Sequence, residues 1–213
     1  EMIRPVLELT VILPGMLLAC LPVKNYMKQT PLKYGLWLFP LLLLLCLSGG
    51  IFCYLFQIPT KVILLPLLIL LMVIYHKALQ ISIWKSGSIF LATCAVFSCV
   101  NSLSRAVNAI MTADLNLTEN ELWFHAGAGI FYNLICLLFV FAAWYPATHI
   151  VRTMIEDENF AQTWYIFWIL PLIFIGLNLF MVPKYRSTLY TGRILQIYIV
   201  VSIVLLVILT LFY

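Results

Sequence analysis

The chain has 213 residues, 64% of them hydrophobic and 9% charged, with a mean hydropathy of +1.08 and a formal net charge of +4. A soluble domain carries about 25% charged residues, so this composition excludes a water-soluble enzyme and leaves no room for a separate globular domain of ~100 residues. The basic residues are scattered along the chain, which excludes the clustered basic face that nucleic acid requires.

Seven apolar runs follow one another, each near the length of about 20 residues that a membrane-spanning helix needs. They cover about 5–23, 34–56, 61–75, 87–110, 122–149, 163–182 and 193–213. The first is closed by Pro22 and a lysine cluster; the third is short, and the amphipathic segment from Ala78 to Trp84 can extend it. The fourth ends before the most polar loop, Asp114 to Glu121, and the fifth is long enough to tilt. Continuous leucine-rich runs point to helices, because strands of a membrane barrel alternate polar and apolar residues and an open strand edge has no partner in lipid. The expected fold is therefore an all-α transmembrane bundle of about seven helices.

Lys and Arg set the orientation. With the N-terminus outside, the inner loops hold Lys24, Lys28, Lys33, Lys77, Lys85 and Arg152, and the outer segments hold Arg4, Lys61, Lys184, Arg186 and Arg193. Leaving Arg105 aside, the whole-chain bias is slight, but over the first three spans it is five to two, and early spans usually dominate. The expectation is N-terminus outside, C-terminus cytoplasmic.

The six cysteines (Cys20, Cys46, Cys53, Cys94, Cys99, Cys136) all lie in apolar runs, without a CxxC pair, and read as small packing residues. Leu17 to Cys20 is similar to a lipobox, but only Arg4 precedes it, with Glu1 and Glu8, and the lysines follow it. Asn116-Leu117-Thr118 reads as a chance glycosylation sequon, and Gly127 and Gly129 as helix-packing residues.

Ionisable groups inside the membrane are functional candidates by default. Asn101, Arg105 and Asn108 fall at i, i+4 and i+7, with Ser98 on the same helical face. Glu8, His125 and Asn133 are expected at a similar depth. A pocket of Glu8, Asn101, Arg105, Asn108, His125 and Asn133 would take an anionic or polar ligand; the plainer alternative is an Arg105–Glu8 pair that orients helices. Asn178 reads as an interhelical hydrogen bond, and most of the tryptophans and tyrosines from Trp164 onward as interface anchors.

No catalytic pattern accompanies these groups. HExxH is absent, and His76, His125 and His149 are solitary; no GxSxG or phosphate loop is present. Glu156-Asp157-Glu158 reads as a solvated turn with Arg152 nearby. The expectation is no enzyme, no cofactor and no metal in this chain. Transporters usually carry internal repeats with broken helices at matching positions; Pro14, Pro40, Pro66 and Pro171 are not arranged that way.

The stretch from Tyr145-Pro-Ala-Thr-His149 through Glu156 to Trp164, Trp168-Ile-Leu-Pro171, Asn178 to Pro183 and Tyr185 resembles the membrane sensor region of bacterial GHKL-type sensor histidine kinases. The resemblance rests on Trp-x-x-x-Trp-x-Leu-Pro, then Asn-x-x-x-x-Pro-x-Tyr and Leu189-Tyr190, over about residues 144–193. It implies a multi-pass sensor in a bacterial plasma membrane that works as a homodimer among membrane lipid. The last helix would lead to a cytoplasmic kinase domain, absent from this chain, and through it to a response regulator. The signal would be a peptide, a lipid-like molecule or a small anion. Glu1 before Met2 and the end at Tyr213 fit a segment of a longer protein. The rival readings are a small-solute transporter and a non-catalytic membrane partner subunit.

Overall fold

The computed structural model describes residues 3–58, 60–111, 126–157, 163–169, 171–173, 175–176, 200, 203–204 and 207. Among them every regular element is helical, and the extended contribution is a single isolated bridge between Met27 and Leu79.

The first apolar run forms two helices, α1 (Ile3–Thr10) and α2 (Ile12–Cys20), rather than one. Pro14 is the physical cause: it brings no N–H to the carbonyl of Thr10, and its ring crowds that carbonyl. The chain breaks at Val11 and resumes, with the Gly15 N–H reaching back 3.3 Å to the Val11 carbonyl. A short 3-10 turn, Lys24–Tyr26, follows.

α3 (Pro31–Phe56) begins with proline, whose missing donor costs nothing in a first turn. It ends on Gln57 in the left-handed region at φ 51°, from which Gln57 and Ile58 both donate to the Cys53 carbonyl. α4 (Thr60–Ala78) and α5 (Ile83–Met111) come next. The expected extension of the third run through Trp84 is corrected: α4 stops at Ala78, and Trp84 belongs to the first turn of α5. The reason is tertiary. Lys28 donates to the Ala78 carbonyl at 2.9 Å and Gln80 to the Tyr26 carbonyl at 2.9 Å, so the backbone there is already paired with a distant loop.

α6 (Ala126–Pro146) passes into a π-helical turn, Ala147–Val151, and then α7 (Arg152–Glu156). Pro146 again removes a rung of the ladder, and the widened turn follows it. The Thr148 hydroxyl lies 2.8 Å from the Trp144 carbonyl and 3.2 Å from that of Tyr145, donating to one at a time. α8 (Trp164–Phe167) follows.

The consecutive long helices run antiparallel. Lys24, Lys28, Lys33, Lys77, Lys85 and Arg152 all stand at one end, called here the basic end; Lys28 Nζ donates to the Lys77 carbonyl at 2.7 Å and Lys85 Nζ to that of Ile155 at 2.8 Å. Glu8 and Thr60 meet at the opposite end. The α1–α2 segment is the axis, packing against α3, α4, α5 and α6. Leu9 and Ala19 on it are each 1% exposed.

Two apolar clusters share that axis. One joins Leu9, Ile12, Met16 and Ala19 with α3, α4 and the start of α5, and includes Ile155 and Trp164. The other joins Leu18 and Leu21 with Phe97, Val100, Cys136 and Val140. Trp164 is thus no interface anchor: it is 2% exposed, inside the first cluster.

The closest approach is between α1 and α3. A Cβ on Gly50 would stand 2.4 Å from Val6 Cγ2 and 2.9 Å from Val6 backbone atoms, and one on Gly49 would stand 3.1 Å from Leu9 Cδ1. Small residues let the two backbones touch. On the perimeter the helices are apolar too, with Leu32, Leu36, Phe39, Leu44 and Leu55 exposed on α3 and Leu65 and Ile69 on α4. Two described helices are long and apolar enough to cross a membrane, Pro31–Phe56 and the continuous Gly129–Glu156.

Candidate functional site

The six residues of the expected pocket fall into three groups. Asn101, Arg105 and Asn108 lie on α5, in the half far from the basic end. The α-helical backbone there keeps their i, i+4, i+7 register on one face; their side chains lie outside what is described. His125 is outside the described residues altogether.

Glu8 and Asn133 are described, and they serve different neighbours. The Thr60 hydroxyl, at the start of α4, donates to the Glu8 carboxylate. Asn133 on α6 donates through Nδ2 to the Gly129 carbonyl at 2.9 Å and the Leu7 carbonyl at 3.3 Å. Its Oδ1 lies 3.3 Å from the Thr10 hydroxyl, which also lies 2.8 Å from the Leu7 carbonyl. Glu8 and Thr10 stand about 200° apart around a helix of this pitch. Glu8 therefore ties α1 to α4 on one side, while Asn133 ties α1 to α6 on another, at the level of the Pro14 break. Asn133 thus adds a side-chain donor to the Leu7 carbonyl just before the break.

At the basic end a second polar constellation appears that sequence spacing did not bring together. An open cleft of about 360 Å³ is lined by Lys24, Trp144, Thr148, His149, Arg152, Thr153 and Glu156. The π turn builds most of it, by placing Thr148 and His149 above Arg152 and Thr153. Arg152 Nε donates to Glu156 Oε1 at 2.8 Å, an i, i+4 pair with both side chains part-exposed. The Asn25 amide, with its oxygen toward the guanidinium, accepts from Nη1 at 3.3 Å and Nη2 at 3.0 Å. Arg152 thereby clips the turn after α2 to the end of the α6–α7 rod.

Tyr26 completes the clip from the other side. Burial pushes its phenol upward, the Glu156 carboxylate adds to that, and Arg152 pulls the other way. His149 stacks on Tyr145 with ring centroids 4.4 Å apart, and its Nδ1 lies 3.2 Å from the Tyr145 carbonyl and 3.0 Å from the Thr148 hydroxyl. A carbonyl only accepts, so Nδ1 carries the proton, Thr148 donates to the Trp144 carbonyl, and both hydrogen bonds are satisfied together.

The sequence carried two readable signals for this cleft, the Arg152–Glu156 spacing and Pro146 three residues before His149. It carried none for Asn25. Glu156, read as part of a solvated turn with Arg152 nearby, is exposed and also pairs with Arg152 in the clip. Nearby, the paired loops 26–28 and 78–80 and the two lysine-to-carbonyl bonds fix the same end. Compared with known protein families, with curated proteins and with solved structures, the chain matches none of them.

Proposed function

We propose that the chain is the membrane-embedded sensor region of a bacterial two-component histidine kinase, lying in the plasma membrane with its basic end toward the cytoplasm. Membrane residence is supported by the burial of the two long helices. In their most apolar windows 28% and 17% of residues are buried, whereas the core helix of a soluble protein is mostly buried. Contiguous apolar faces of this extent are stable against lipid and not against water. The basic end carries Lys24, Lys28, Lys33, Lys77 and Lys85, and the more basic side is the one that faces the cytoplasm.

One observation carries the sensing role. The central α1–α2 segment and the turn after it are pinned to the α6–α7 rod at two distant levels, by Asn133 on Leu7 and Thr10 and by Arg152 on Asn25. A ligand at the polar face of Asn101, Arg105 and Asn108 would favour one packing of α5 and α6 over another, and differential affinity is all that a shift between two states needs. The two pins would then carry that shift from the far end to the basic end, where a kinase domain would read it. The motifs around Trp164, Trp168 and Pro171 support the same class by resemblance.

The gene tests the assignment. Reading onward from codon 213, a dimerisation helix followed by a GHKL-type ATP-binding core supports it. A stop codon, or a second bundle of spans in its place, would favour the partner-subunit or transporter reading and defeat this one.

A further inference from the structure

We propose that the cleft between Lys24 and Arg152 holds the phosphate headgroup of an anionic phospholipid, with its acyl chains lying along the exposed strip of α6. The inference rests on the membrane reading above and adds a specific ligand site to it.

The cleft has the dimensions: about 360 Å³ lies within the range of about 300–1,000 Å³ usual for small-molecule sites. Its charge is right for an anion, since Lys24 and Arg152 against Glu156 leave one positive charge in excess. The two cations play different parts. Arg152 is held by Glu156 and Asn25, so it contributes a fixed charge. Lys24 is exposed and makes no hydrogen bond or ion pair with any described residue. Its ammonium is the free hand that can close on a phosphate oxygen.

The cleft also continues into an apolar surface. Trp144 lines it and is itself 47% exposed, and Phe141, Leu138, Leu134 and Ile130 carry exposed apolar surface away from it along the same helix. Their spacing of three and four residues puts them in one stripe. An indole at the head of such a stripe belongs at headgroup depth. A soluble anion would use the charged half of this arrangement and leave the stripe without a role; a phospholipid uses both. Basic pockets between helices on the cytoplasmic side hold lipid headgroups elsewhere for the same reason.

The test uses the full chain purified in mild detergent. Native mass spectrometry counts retained dioleoyl phosphatidylglycerol against dioleoyl phosphatidylcholine, for the wild type, Lys24→Gln and Lys33→Gln. Lys33 removes the same charge from the same end, from the exposed first turn of α3. The expected result is retention of the anionic lipid about fivefold above the zwitterionic one, as one basic contact near the surface provides. Lys24→Gln abolishes that preference and Lys33→Gln leaves it. Equal loss in the two variants, or no preference in the wild type, overturns the site, and circular dichroism confirms that the variants remain helical. Complete displacement by excess inorganic phosphate would assign the cleft to a soluble anion and overturn the lipid. Alkaline carbonate extraction of whole membranes, done first, judges the underlying reading separately: release of the chain defeats membrane residence and this proposal together, whereas retention without lipid preference defeats the proposal alone.

Discussion

The α1–α2 segment and α3 are both built of leucine, isoleucine and their like, yet they occupy opposite situations. Leu9, Met16 and Ala19 on the first are buried, while Leu36 and Leu44 on α3 are 70% and 63% exposed. Hydrophobicity therefore does not decide which helix is central. Close contact does: α3 turns one narrow face inward, along Leu38, Leu42, Cys46, Gly50 and Cys53, and Gly50 lets the α1 backbone rest on it. The rest of α3 is apolar and exposed, the face that the proposed membrane residence assigns to lipid.

Substitutions on the two helices sharpen that contrast. The largest effect is expected at Gly50. Gly50→Leu drives a side chain into backbone atoms of Val6, beyond what core repacking absorbs, at a cost of about 3 kcal/mol or more. Gly35→Leu on the same helix, with nothing within 4 Å of its added carbon, should be tolerated, as thermal unfolding in detergent would show. Equal damage at both positions would remove the special role of the α1–α3 contact.

Next comes Leu9→Ala, which empties a site at the axis and should cost about 3 kcal/mol. The same change at Leu36 should cost less than about 0.5 kcal/mol, within the range of ordinary surface substitutions. If Leu36→Ala proves as damaging as Leu9→Ala, the perimeter is a protein interface rather than a lipid face. Smaller again is Asn133→Leu, which removes the hydrogen bonds to Leu7 and Gly129 and its contact with Thr10. About 1 kcal/mol is expected for such a tie in a membrane bundle, with faster amide exchange around Val11 as its local signature. No change in exchange there would separate Asn133 from the break at Pro14.

The all-helical class and the helices of the second to fourth runs were legible because span length is a local property, whereas the sixth and seventh runs, about 163–182 and 193–213, lie largely outside the described residues. The run over 34–56 became α3, starting three residues earlier at Pro31, and the run over 87–110 became α5, starting at Ile83. The break within 5–23 was less visible, since a proline in a long apolar run reads equally as a kink. The fifth run was longer than 122–149 suggests on one side: α6 begins at Ala126, and through the π turn the rod continues to Glu156. What sequence spacing cannot reach is pairing across long separations. Met27 against Leu79 and Asn25 against Arg152 involve loops that give no sign of each other. Glu8 and Asn133 were singled out as polar groups among apolar neighbours, and each is hydrogen-bonded to another helix. Depth alone grouped them, whereas the facing directions around α1 send them to α4 and α6 separately. Gly49 and Gly50 were passed over, although two adjacent glycines after Ser48 in a leucine-rich helix are the usual mark of a close crossing.

The account turns on what bathes the outer face of α3, and a nitroxide at position 44 on a cysteine-free background reads it directly. Collisions with oxygen, which concentrates in hydrocarbon, and with a water-soluble nickel chelate are measured in reconstituted vesicles. Lipid contact predicts strong relaxation by oxygen and almost none by nickel; strong relaxation by nickel would put Leu44 in water and contradict the account.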